Sequence, residues 1–248
     1  MTGVALLAGS VSAAAGPTFL ESGGRVVVEA EHFAASVPYV TGNGTTEWKP
    51  VPVTNAPTNG AANARGGDPD SYVQCLPDAG PGVGGPNNPP CVDYSVRIST
   101  TGTYRLWLRW DGFDGSSDSL YAGVVELADG PLGPADWYRF AGHDDRNFAI
   151  DPWHGSGEYE GTSAGGGDIA AQWNIASAGD YTVRISARED GAMVDALILQ
   201  LTSLGTPSGT GPAESEQAAG PDHGPIPEPA GLAVLLAGLV GMSRRKRT

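Results

Sequence analysis

The chain has 248 residues, of which 28 are acidic and 14 basic, so its formal net charge is −14 at pH 7. Only 17% of the residues are charged, while 37 are Gly and 20 are Pro. A chain this acidic repels nucleic acid and anionic lipid surfaces, and no basic patch interleaved with aromatic residues opposes that repulsion. Partners of both kinds are therefore excluded, whereas a divalent cation would be attracted.

The first element along the chain is an apolar run at residues 4–15, VALLAGSVSAAA, which ends in small residues. This pattern is typical of the apolar segment and cleavage zone of a secretory signal peptide, which we place at residues 1–17. Residues 1–3 carry no Lys or Arg, so the signal looks truncated at its start. A buried N-terminal segment is the alternative.

Short segments that alternate apolar and polar residues follow, and helical periodicity is nearly absent. The segments are RVVVEAEHF, DYSVRI, TYRLWLRW, SLYAGVVEL, AAQWNIA, DYTVRISAR and DALILQL. In TYRLWLRW the side chains alternate between two faces, one with Tyr104, Leu106, Leu108 and Trp110 and the other with Arg105, Trp107 and Arg109. The pattern predicts an all-β domain at residues 18–204, built as an antiparallel β-sandwich or barrel.

Two carboxylates, Glu29 and Glu31, stand at alternate positions of the first predicted strand, so we expect them to point the same way. Like charges this close repel each other unless a cation lies between them. A carboxylate pair could also serve glycoside hydrolysis, but the sequence shows neither a cleft nor an apolar neighbour that would raise one pKa. Two solvated, unpaired glutamates are the third interpretation.

Two cysteines, Cys75 and Cys91, flank the loop LPDAGPGVGGPNNPP. In an exported protein a disulfide that closes this loop is expected. Two buried free thiols are the alternative. A metal-binding pair is disfavoured because no further Cys or suitably spaced His accompanies them.

The C-terminal part of the chain divides into two segments. Residues 205–225 are rich in Gly, Pro, Ala and acidic residues without periodicity, which predicts a disordered linker. Residues 226–248 contain Pro227-Glu228-Pro229, then an apolar stretch shorter than the ~20 residues that span a bilayer, then an Arg-rich end. This order resembles the PEP-CTERM sorting tail of Gram-negative bacteria, which an exosortase processes after export. The resemblance implies an exported protein of the cell surface or extracellular matrix, which meets the membrane only through this tail before processing; a plain membrane anchor is the alternative.

Several landmarks occur in one order along residues 26–203. They are Glu29-Ala30-Glu31, GGDPDSY, DYSVRISTTGTYRLWLRW, SSDSLYAGV and AGDYTVRISAREDGAMVDALIL. Their succession resembles the carbohydrate-binding modules of families 6 and 35, which are galactose-binding-like β-jelly rolls. The resemblance implies a jelly roll with a structural Ca²⁺ ion held by Glu29, Glu31 and Asp195, which offer the hard oxygen ligands that Ca²⁺ prefers.

The same resemblance implies a non-catalytic site for extracellular polysaccharide in loops at one edge of the sandwich. A sugar site needs aromatic planes and a few polar groups that orient the hydroxyls. The candidates are the loop aromatics and one ring on the non-core face of its strand: Tyr72, Trp137, Tyr138, Trp153 and Trp107. Each could equally pack in a core. His143 and His154 could bind a metal ion or support acid–base chemistry, but they are interpreted as solvated loop residues. A structural or adhesive surface protein without a sugar site is the first alternative, and a glycoside hydrolase is less favoured.

Overall fold

Strands make up almost all the regular structure of this computed structural model, which describes residues 16–42, 44–52, 61–65, 71–78, 85–130, 132–157 and 169–218. In chain order the strands are β1 (Thr18–Leu20), β2 (Arg25–Glu29), β3 (Ala35–Val37), β4 (Tyr39–Thr41), β5 (Gly44–Pro52), β6 (Ser71–Leu76), β7 (Cys91–Ile98), β8 (Gly102–Asp111), β9 (Ser119–Val124), β10 (Trp137–Ala141), β11 (Ser156–Gly157), β12 (Ile169–Ala170), β13 (Gln172–Ile175), β14 (Gly179–Ala187) and β15 (Met193–Leu201). Within these ranges the one helical element is a 3-10 turn at Ala30–His32, and no helix is long and apolar enough to cross a bilayer.

The strands form two main sheets. The first has the order β1-β7-β14-β9-β10, with β3 also beside β7. The second has the order β13-β8-β15-β6-β5-β4, with β2 also beside β15, and β11 pairs with β12 separately. The β1–β7 pair is parallel and the pairings that build the rest of both sheets are antiparallel. The predicted antiparallel β-sandwich is therefore confirmed.

The main core lies between the two sheets. The predicted inner face of β8, Tyr104 to Trp110 in steps of two, is buried there against β7 and β14 side chains such as Val96 and Ile185. Strand alternation explains this arrangement, because every second side chain of a strand points to the same layer. The opposite face of β8 carries a second, smaller apolar cluster on the outer side of the second sheet.

Residues 205–218 do not form the expected linker. They run along β1 and β2, where the Ser215 amide donates to the Val27 carbonyl (2.9 Å), the Leu20 amide donates to the Glu216 carbonyl (2.8 Å) and the Ala218 amide donates to the Thr18 carbonyl (2.7 Å). We term residues 209–218 the C-terminal strap. The predicted domain boundary at residue 204 is too early, since the compact body reaches Ala218. Residues 219–225, the predicted sorting tail and the predicted signal peptide up to residue 15 lie outside the described residues.

The predicted disulfide is not formed. Cys75 lies on β6 of the second sheet and Cys91 begins β7 of the first, and both are buried free thiols. Each cysteine is held in the ladder of its own sheet, Cys75 opposite Trp48 and Cys91 opposite Ser186. The structure therefore has two buried free thiols, which was the alternative interpretation of the sequence.

Candidate functional site

The outer face of the second sheet carries the most concentrated group of candidate residues. On this face Trp107 of β8 lies opposite Ile198 of β15, which in turn lies opposite Val27 of β2. Together with Ala196 and Trp153 these residues form the outer apolar cluster. The strand register therefore places Ile198 at the centre of a row of apolar side chains and Trp107 at its β8 end, where loops cover it.

One of those loops continues the edge of β8. Strand β13 pairs with β8 only as far as Arg105. Beyond it, the amides of Leu108 and His154 each donate to the other's carbonyl at 2.8 and 2.9 Å. This pairing brings Gly155 against the Trp107 ring so closely that a Cβ on Gly155 would lie 2.4 Å from the ring. A glycine is required there, because any side chain would displace the indole.

A solvent-facing cleft of about 180 Å³ opens beside this contact, lined by Arg105, Trp107, Trp153, His154, Gly155 and Ser156. The Arg105 guanidinium carbon lies 4.1 Å from the Trp107 ring centroid. Its Nε donates to the Gly155 carbonyl (2.6 Å) and its Nη2 to the Ser156 hydroxyl (2.7 Å). Burial lowers the pKa of Arg105. Among the ion pairs of the described residues, none neutralises Arg105, so it brings a positive charge to a chain that is acidic overall.

His154 lines the same cleft and is not the solvated loop residue that the sequence suggested. Its ring centroid lies 3.6 Å from that of His143, and both rings meet Trp110 edge-on. Burial, and then the neighbouring His143, lower the pKa of His154 to about 4. At neutral pH the imidazole is therefore uncharged, and a neutral imidazole has one donor and one acceptor nitrogen.

The structure brings only two of the five predicted ligand aromatics together. Trp107 and Trp153 share the outer cluster, and each is 7% exposed. Tyr72, Trp137 and Tyr138 lie on strands rather than in loops, and all three are buried. The loop assignment for these three residues was wrong because strands β6 and β10 are short and irregular in pattern, so alternation of apolar and polar residues did not reveal either strand.

The faces of the two outer tryptophans are covered. Arg105 lies over the Trp107 ring, and Gly155 packs against the same indole. Trp153 donates from Nε1 to the Gly209 carbonyl of the strap (3.1 Å), and Gly211 lies so close that a Cβ there would be 2.6 Å from its ring. Each tryptophan is 7% exposed, so only a small part of each indole is available to a ligand in the cleft.

Sequence reasoning gave no role to three residues that the structure places at candidate binding surfaces. Arg105 and Ser156 supply polar groups of the cleft, and alternation on β8 had already placed Arg105 beside Trp107. Tyr39, on β4, is 39% exposed, and Val37 and Val40 close to it in the chain are exposed as well. No other described Phe, Trp or Tyr is as exposed, and no residue pattern in the sequence marked it.

The residues that the resemblance assigns to calcium do not lie as expected. Strand β2 ends at Glu29, and Glu31 lies in the following 3-10 turn rather than on the strand. Glu29 Oε1 pairs with Arg65 Nη2 at 2.9 Å. The Asp195 carboxylate accepts the Arg65 amide at 3.0 and 3.1 Å and Arg109 Nη1 at 2.5 Å.

This donor set does not fit a Ca²⁺ ion. Such an ion takes six to eight oxygen ligands, yet both Asp195 oxygens already accept hydrogen bonds. Two guanidinium groups also stand where the added double positive charge would be placed. No group of three or more His, Cys, Asp or Glu side chains within the described ranges could hold a metal ion. Calcium binding stays a prediction of the resemblance.

No protein family model matches the chain, and no curated protein matches it. Among solved structures it is similar to a family 35 carbohydrate-binding module from Clostridium thermocellum, with a TM-score of 0.42 and 16% identity over 72% of this chain and 98% of that one. A family 6 module from the lichenase 5A of Cellvibrio mixtus, in complex with cellotriose, gives a TM-score of 0.38 and 14% identity over 71% and 97%. A GH26-CBM35 β-(1,4)-mannanase from Podospora anserina gives a TM-score of 0.40 and 14% identity over 74% of this chain, which spans only 29% of the mannanase.

Proposed function

We propose that the β-sandwich binds extracellular polysaccharide without catalysis, and that the cleft beside Arg105 and His154 is its binding site. The observation that carries the proposal is the composition of this cleft. It combines a guanidinium without a carboxylate partner among the described ion pairs, a neutral imidazole and a hydroxyl with two tryptophans that are each 7% exposed. Polar groups of this kind orient sugar hydroxyls, while the exposed part of an indole contacts the C–H groups of the sugar ring.

A glycan array followed by affinity electrophoresis of the full chain tests the proposal. Arg105→Met removes the guanidinium donors but leaves an aliphatic side chain over Trp107, and Ser156→Ala removes the hydroxyl. Since a hydrogen bond from a charged group contributes about 1.5–3 kcal/mol, we expect Arg105→Met to weaken glycan binding by roughly tenfold or more.

Arg97→Met is the matched control, because Arg97 is an exposed arginine of the first sheet that pairs with Asp180 at 2.7 Å. Its affinity should equal that of the unsubstituted chain. If Arg105→Met bound the glycan as tightly as the unsubstituted chain, the cleft would not be the binding site. The same would follow if only Tyr39→Ala lost glycan binding. Tyr39 is the second place where a sugar could stack, given its exposure.

A structural or adhesive surface protein without a sugar site is the second candidate. The observation that favours it is the covering of both predicted tryptophans by Arg105, Gly155 and the strap. Absence of binding to every glycan on the array would support this candidate. Hydrolysis of any glycoside would overturn both, although Glu29, one of the two carboxylates considered for catalysis, is tied to Arg65.

Export and sorting are part of the proposal and rest on the sequence of the two termini alone. The apolar run at residues 4–15 and the Pro-Glu-Pro, apolar and Arg-rich order at residues 226–248 support export, exosortase processing and a place at the cell surface or in the extracellular matrix. Expression with and without an exosortase, followed by mass spectrometry of the mature C-terminus, tests this part. An unprocessed tail would contradict it.

A further inference from the structure

Two carboxylates and two guanidinium groups meet beneath the strap. They belong to Glu29 on β2, Arg65 in the segment before β6, Arg109 on β8 and Asp195 on β15. Each of these residues is at most 9% exposed, and Asp195 is fully buried. Counted as ionised, the four groups of this buried network carry formal charges that sum to zero.

The backbone explains how Asp195 reaches this network. The register between β15 and β8 shifts between Val194 and Ala196, which leaves Asp195 as the extra residue of a bulge. A bulge re-aims a side chain that a regular strand would direct elsewhere. Ala196 follows on the outer face between Glu29 and Arg109, its opposite residues on β2 and β8. A small side chain at that position leaves room for the two larger ones on either side.

Both arginines also bind parts of the chain outside the strands. Arg109 donates from Nη2 to the Asn63 carbonyl at 3.0 Å, which holds the segment at residues 61–65 against the sheet. Arg65 donates from Nη2 to the Pro212 carbonyl at 2.7 Å, which holds the strap. The network thus joins β2, β8 and β15 to two segments without regular structure.

We infer that Arg65 and Arg109 take the place of a structural cation at this position, so that arginine–carboxylate pairs help to hold β2 and the last strand, β15, together and the fold is independent of divalent metal ions. Burying a carboxylate without a partner is costly, and either a metal ion or a guanidinium can remove that cost. In this chain the Asp195 carboxylate accepts from the Arg109 guanidinium and from the Arg65 backbone amide, while the Arg65 guanidinium pairs with Glu29.

The melting temperature of the full chain in excess EDTA and in excess CaCl₂ tests metal independence. We expect the same melting temperature in both conditions, within the error of repeated scans. A lower melting temperature in EDTA that CaCl₂ restores would overturn the inference. This measurement does not involve glycan binding, so its failure and that of the proposed function are distinguishable.

A double-mutant cycle tests the role of the arginines themselves. Breaking a buried ion pair by removing one partner is strongly destabilising, so Arg65→Met alone should lower the melting temperature by roughly 10 °C. In the Glu29→Gln background the same substitution should lower it much less, because no unpaired carboxylate is then left buried. The exposed Arg97–Asp180 pair is the matched control and should show little coupling between its substitutions. Purely additive effects at Glu29 and Arg65 would overturn the inference.

Discussion

His154 is held in surroundings that disfavour its charged form. Its neighbours are His143, the Trp110 edge and Asp151, of which Asp151 alone favours a positive charge. Burial and His143 outweigh it and lower the pKa from 6.5 to about 4. Between these two values the unfolded chain binds a proton that the folded chain does not. The stability that His154 contributes is therefore complete above pH 6.5 and is lost as the pH falls toward 4.

The urea midpoints of the chain and of His154→Gln at pH 7 and pH 5 test this prediction. We expect the difference between the two proteins to be smaller at pH 5, because the native advantage of the neutral imidazole has then decreased. His32→Gln is the control with the opposite sign. Burial opposes charging of His32, but the Glu214 carboxylate outweighs it and raises the pKa, so its contribution is lost as the pH rises. An equal difference at both pH values would contradict the prediction for His154.

Glu21 contributes a second pH dependence, at lower pH. Its carboxylate accepts the amides of Gly24, Ser99 and Thr100 and the hydroxyls of Ser99 and Thr100, which ties the β1–β2 turn to the β7–β8 turn. Burial opposes these hydrogen bonds, yet together they lower the pKa of Glu21 to about 2. Its contribution to stability should be present above about pH 4.5 and lost as the pH falls toward 2. Acid denaturation followed by circular dichroism should show a higher midpoint pH for Glu21→Gln; equal midpoints would contradict this.

Strand patterns allowed the sequence to predict the faces of β8 correctly, because alternation is a local property. Exposure of the aromatics was not predictable in the same way. Trp107 stands on the non-core face of its strand as expected, but its covering comes from the loop at Gly155 and its neighbour Trp153 is covered by the strap at Gly211, both remote in sequence. The prediction that Glu31 lies on the same strand as Glu29 was wrong for a local reason, since the strand ends at Glu29 and a 3-10 turn follows it.

The strap is the element that sequence reasoning misjudged most. It has no apolar stripe for periodicity to detect, because backbone groups and polar side chains hold it. Besides its backbone bonds, Ser215 Oγ accepts the Val27 amide (2.9 Å) and Glu214 Oε1 accepts the Glu29 amide (2.9 Å). A composition of Gly, Pro and acidic residues suggests disorder, yet these contacts need only chain geometry and a few acceptors.

Truncation measures what the strap contributes. A chain ending at Leu204 should melt roughly 10 °C below a chain ending at Ala218, since several hydrogen bonds of about 1 kcal/mol each are lost. It should also associate in solution, because the edges of β1 and β2 would be exposed to pairing with other chains. Calorimetry and analytical ultracentrifugation give the two readouts. Identical melting temperatures and two monomeric proteins would contradict the role of the strap.

At the scale of the whole molecule, no disulfide between Cys75 and Cys91 links the two sheets. Burial raises the pKa of both thiols, which keeps them protonated and unreactive. We expect a thiol reagent to label neither cysteine in the folded chain and both after denaturation without reductant, and dithiothreitol to leave the melting temperature unchanged. A chain that yields no free thiol after denaturation would contradict the structure at this point.

The bond from the Ala218 amide to the Thr18 carbonyl also fixes where the β-sandwich begins and ends. The first strand and the last residue of the strap lie side by side, so the β-sandwich begins and ends at one place on its surface. A protein with this arrangement can be inserted as a unit into a loop of a host protein, or have its ends joined by a short linker and be opened elsewhere, without separating its two sheets. The β-sandwich can therefore be moved into another protein as one unit, provided that the transferred segment extends to Ala218 and includes the strap.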